Sequence, residues 1–116
     1  MNGMYESYNA VIKVVDGVFD TYIPSSSEDE YIAHTNRASF TLNAPMLFAD
    51  LDRIASMSKE DIEGFVPRYI RDFGSAYKQS FMTSSGFGEA TADRYAAQAM
   101  SSMMEVIDSY LAIARQ

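Results

Sequence analysis

The single histidine of the chain, His34, follows Glu30 in the run E-Y-I-A-H, and on a helix residues four apart share a face. Such a pair can orient an imidazole as a base or offer two ligands to a metal ion. A closed zinc-type site needs about four ligands, and the chain has no second histidine and no cysteine to complete one. His34 is therefore expected to be a surface residue, with neither metal nor other cofactor. Nucleophilic catalysis fares no better. Fourteen serines are present, but most fall at expected caps and loops, and there is no G-x-S-x-G run. Two carboxylate pairs have spacings worth testing, Asp50 with Asp52 and Asp16 with Asp20. Residues two apart on a helix point in different directions, so the first pair should not cooperate. The second shares a face, but an exposed one, and a working acid or base generally needs partial burial to tune its pKa. S-S-G-F-G-E lacks the lysine and spacing of a phosphate loop. The expectation is a protein that is not an enzyme.

Charge suggests binding instead. The net charge is −7, which argues against direct contact with nucleic acid, where affinity begins with a basic surface. Residues 1–30 hold six acids, Glu6, Asp16, Asp20, Glu28, Asp29 and Glu30, against Lys13 alone, so the acidity belongs to the N-terminal quarter. Against this trend, Arg68, Arg71 and Lys78, with Ser75 between them, recur at spacings of 3, 4 and 3 and make a basic helical stripe. These nine charged residues are the candidate interaction set. They suit docking to a protein with a basic surface, pairing with another copy of the chain, or simple solvation. Eight tyrosines supply rings that can face both core and water, and the cluster Met100, Met103 and Met104 suits core filling or an adaptable groove.

The elements that carry these residues read as helices. K-V-V-D-G-V-F-D, residues 13–20, fits a hairpin with Asp16-Gly17 as its turn, but Glu6, Asn9, Lys13, Asp16 and Asp20 also form one polar helical stripe. Tyr5, Tyr8, Ile12, Val15, Phe19 and Tyr22 form the opposite stripe. A glycine costs a helix about 1 kcal/mol, which an amphipathic face of four to five turns outweighs. Helix is the expectation, with an α+β fold carrying an N-terminal hairpin at 11–23 as the alternative. Pro24 and the serines after it end the segment, and a short helix over 28–37 follows. Asn43 as cap and Pro45 in the first turn open a helix ending near Met57. Ser58 opens one or two turns that Gly64 and Pro67 terminate, and Pro67 starts a further helix lined by Val66, Ile70, Phe73, Tyr77 and Phe81. The last helix runs from about Glu89 to Ala114. Ala92, Ala96, Ala99, Met103, Val106, Tyr110 and Ile113 face in, while Arg94, Gln98, Ser101, Glu105, Asp108 and Arg115 face out.

The expected fold is all-α, one domain over 1–116, with four to five helices around the long C-terminal one. No stretch approaches the length of a membrane span, the N-terminus lacks a basic n-region, and the absence of cysteine fits a reducing compartment, so the expected location is cytoplasmic. The run V-P-R-Y-I-R-D, residues 66–72, resembles a piece of the phage anti-restriction proteins, which mimic DNA with a carboxylate-studded helical surface. It covers seven residues, and Arg68 and Arg71 stand where a mimic favours acids. The resemblance implies one picture of function, an inhibitor of a nucleic-acid-binding host-defence protein, of anti-restriction or anti-CRISPR kind. The broader expectation is a small acidic inhibitor or adaptor that binds another protein, with a small-molecule-binding helical bundle as the alternative.

Overall fold

The computed structural model describes residues 2–115, with side chains from Tyr8 onward. Five helices follow one another: α1 Asn2–Thr21, α2 Ser27–Leu42, α3 Ala44–Ala55, α4 Lys59–Thr83 and α5 Glu89–Ala114. α5 runs through the centre and meets all the others, and the α4–α5 pair is the most extensive packing in the molecule. No described helix is long and apolar enough to cross a membrane.

α1 settles the ambiguity of residues 13–20. The hairpin alternative is wrong, because Val11, Val14, Val15, Val18 and Phe19 are all buried on one face of a continuous helix. A hairpin would have sent alternate valines to opposite faces. Gly17 is exposed on the other side, and a Cβ built on it would meet no atom within 4 Å.

The helix starts follow their caps. Ser26 Oγ accepts from the Asp29 amide at 3.0 Å, and Glu28, Asp29 and Glu30 occupy the first turn of α2, where carboxylates suit the helix dipole. Ser58 Oγ accepts from the Asp61 amide at 3.1 Å to open α4. Asn43 departs from expectation. It makes no side-chain cap on α3; its amide donates to Ser39 O at 2.9 Å and ties down the end of α2 instead.

Two boundaries and one buried face need correction. α2 continues five residues past 37, because Phe40 on the extra turn is wholly buried. Pro67 does not break α4, which is one helix of 25 residues. The proline is on the exposed side, where water can serve the Glu63 carbonyl that loses its donor, and Val66 and Ile70 on either side bury into the same surface. In α5 the stripe is shifted: Gln98 is buried and Ile113 is 57% exposed. Gln98 turns inward because a polar partner from α2 meets it there.

α4 and α5 approach closely at Gly74, where a Cβ would overlap the Met100 side chain. On its other flank α4 is held off by rings. Phe65, Tyr69, Phe73, Tyr77 and Phe81 recur every fourth residue, with successive centroids 5.9, 6.1, 4.6 and 6.0 Å apart. Phe40 from α2 meets this ladder edge-on, 5.6 Å from Phe73 and 5.9 Å from Tyr77, and meets Phe19 of α1 at 5.4 Å. Edge-to-face pairs at these distances add to the gain from burial alone.

Candidate interaction surface

Most of the charged residues singled out from the sequence find partners inside the chain. Arg37 of α2 bridges two turns of α1, donating to Asp16 at 2.9 Å and Asp20 at 2.7 Å. These two bonds, the Asp20 one first, push the guanidinium pKa up. Glu28 pairs with Arg94 of α5 at 2.9 Å. Lys78 lies between Glu89 at 3.1 Å and Asp93 at 3.0 Å. Glu30 makes no ion pair among the described residues, and the side chain of Glu6 lies outside them. Arg68 reaches back to Gly64 O at 3.3 Å, and Arg71 lies 3.8 Å from Asp72, both largely in solvent. The expected acidic face is thus largely a set of internal clamps, and only Arg68 and Arg71 of the basic stripe are left to water.

Asp29 is the most constrained acid. It accepts from the Tyr22 hydroxyl at 2.7 and 2.8 Å and from the Ser25 amide at 2.8 Å. The Ser25 amide first, then the Tyr22 hydroxyl, hold its carboxyl below the ordinary range. Burial, then the bond to Asp29, push Tyr22 up to about 12. Asp29 therefore stabilises the fold fully above its unfolded value of about 4, and the contribution is lost as pH falls through its lower folded value. Tyr22 acts at the other extreme, its contribution complete below about pH 10 and lost as pH rises toward its folded value. In urea unfolding followed across pH, the stability gap between wild type and Asp29→Asn is expected to narrow as pH drops below about 4. A gap that stays constant there would show that the carboxylate bonds are not formed.

His34 and Glu30 do share a face. They line a hollow of 160 Å³ with Phe19, Tyr22, Ala33 and Arg37. Among the described residues no three His, Asp or Glu side chains are grouped to hold a metal ion. Asp50 and Asp52 diverge: Asp50 accepts from the Tyr69 hydroxyl at 2.6 Å while Asp52 is exposed. Burial first, and then that bond, push the Tyr69 hydroxyl far up.

A different feature has the features of a docking site. Because the aromatic ladder spaces α4 from α2, a groove of 250 Å³ opens between them. Thr35, Ser39 and Asn43 form one wall at i, i+4 and i+8 of α2; Tyr77, Ser80 and Phe81 form the other. At its base the hydroxyls of Ser39 and Tyr77 are 2.9 Å apart, and burial pushes the Tyr77 pKa up, so this hydroxyl remains neutral. Phe81 closes one end, packed on Tyr95 at 4.9 Å and Phe87 at 5.7 Å. No lining residue is charged. Along the solvent side of α2, Tyr31 and Leu42 are 66% and 82% exposed, and Met46 follows just past the corner into α3. Aromatic floor, neutral hydroxyls and an apolar rim suit an inserted side chain whose own backbone needs hydrogen-bond partners. The sequence reading had these rings as a core stripe. Only the surplus of tyrosine pointed to an interface. Comparison with family models, curated proteins and solved structures finds no match to the chain.

Proposed function

We propose that the protein is a non-enzymatic interaction module, of inhibitor or adaptor type, that docks an apolar segment of another protein in the groove between α2 and α4. The supporting observation is the uncharged groove lined by Tyr77 and Phe81, with Tyr31 and Leu42 exposed on α2, the helix that forms its other wall. A lone solvent-exposed Leu is ordinary, but exposed apolar residues flanking a concave aromatic surface are the usual composition of an interface. The volume of 250 Å³ favours one or two partner side chains over a whole ligand, since small-molecule sites run from about 300 to 1,000 Å³. The charged stripes support the reading less, because their members are largely occupied within the chain.

The test is affinity capture with wild type, the groove variant Thr35→Glu/Ser80→Glu, which puts charge on both walls, and the stripe variant Arg68→Glu/Arg71→Glu, with thermal melts to verify folding. A stoichiometric partner lost only with the groove variant is the expected result. Loss with the stripe variant alone would move the interface to the charged face. Absence of any stoichiometric partner, even after cross-linking, would overturn the reading.

A further inference from the structure

The opening between α1 and α5 is a second surface, separate from the α2–α4 groove. It has a volume of 590 Å³ and is lined by Lys13, Val14, Gly17, Val18 and Thr21 of α1 and by Ile113 of α5. Gly17 is the unexplained residue in it. A glycine in a helix interior costs about 1 kcal/mol relative to alanine, and is normally retained for a left-handed turn or a close approach. Neither applies within this chain: its φ is not positive, and nothing stands within 4 Å of where a Cβ would be. Ile113, beside it, is left 57% exposed.

Charge indicates what covers the opening. By helical register, Lys13 and Asp20 lie on the same edge of the face centred on Gly17, one turn before it and one turn after. If two copies of α1 cross antiparallel with a two-fold axis at Gly17, Lys13 of each copy comes level with Asp20 of the other. The pairing forms twice, as a two-fold interface requires. Asp20 is free to accept it, because Arg37 uses only Oδ1, at 2.7 Å. On the opposite edge Val14 comes level with Thr21 of the second copy, and Ile113 gains cover. The missing side chain at Gly17 lets the two helix axes approach closely where they cross.

We propose that the chain forms a two-fold dimer through the α1–α5 groove, with α1 helices crossing antiparallel at Gly17 and Lys13–Asp20 pairs across the axis. Sedimentation equilibrium of the full chain over a concentration series tests it, using wild type, Gly17→Leu, Lys13→Glu and Lys13→Glu/Asp20→Lys. Wild type is expected to dimerise. Gly17→Leu should be monomeric over the same range yet melt no lower than wild type at dilutions where both are monomers, since leucine favours helix and the space around residue 17 is empty. Lys13→Glu should weaken dimerisation by about tenfold, and the added Asp20→Lys should restore it; Asp16, 2.9 Å from Arg37 in the wild type, is the acid that remains to hold that guanidinium. A wild-type monomer at every concentration, a dimer indifferent to Gly17→Leu, or no recovery in the double swap would each overturn the proposal.

Discussion

Phe40→Ala is expected to destabilise the fold by about 3–5 kcal/mol, the range for removing a buried ring from a core that relaxes only in part. Phe40 has no exposed surface and contacts three other rings edge-on: Phe19 of α1, and Phe73 and Tyr77 of α4. Its removal opens a cavity where α1, α2 and α4 meet. A domain of this size has only about 5–15 kcal/mol of stability, so the variant loses a large share of it. Urea unfolding by far-UV circular dichroism measures the loss. Phe40→Leu, which keeps most of the volume, should lose less than half as much. Equal losses for the two variants would mean that the edge-on contacts, rather than the filled volume, dominate.

The second large effect concerns the only buried polar connection between α2 and α5 among the described residues. Asn36 Nδ2 donates to Tyr95 O at 2.9 Å and to Gln98 Oε1 at 2.8 Å, and Gln98 Nε2 donates to Ser102 Oγ at 2.7 Å. All three side chains are buried, and Asn36 Oδ1 accepts no hydrogen bond from the protein. Asn36→Ala strands Gln98 Oε1 in the interior and should cost about 2–3 kcal/mol. Because the two side chains share one bond, Asn36→Ala with Gln98→Ala should cost less than the sum of the singles, by about 1 kcal/mol. Replacing all three polar members with apolar residues of similar size, Asn36→Leu with Gln98→Met and Ser102→Ala, should come within about 1 kcal/mol of wild type. Additive single losses in this cycle would show that the two groups do not interact.

That network also marks where reading the sequence stopped short. The local pattern points Gln98 outward, because Arg94, Ser101, Glu105 and Asp108 on α5 are polar, whereas its burial depends on Asn36, 62 positions earlier. The same distance hid the clamps on α1: Asp16 and Asp20 read as a solvated stripe until Arg37 arrives from α2. Features carried by neighbouring residues were legible. The Val-rich face of α1, the caps at Ser26 and Ser58, Pro45 in the first turn of α3 and the length of α5 all follow from spacing within one element. Pro67 misled because a local rule for prolines takes no account of which side of a helix is wet. The α2–α4 groove could not be read at all. Its walls come from segments about 40 residues apart, and its width depends on how ring size sets the gap between them.

That last dependence separates two properties that usually evolve together. α5 holds α4 in place through the tight contact at Gly74, whereas the gap toward α2 is set by the rings at 73, 77 and 81. The groove is therefore shaped by side chains rather than by backbone. Changing Ser80, exposed on the groove wall, to a larger residue alters the shape of the groove while the contact at Gly74 on the same helix is unchanged. On the proposed docking role, such a scaffold can change its binding surface one residue at a time while the packing of α4 on α5 stays as it is.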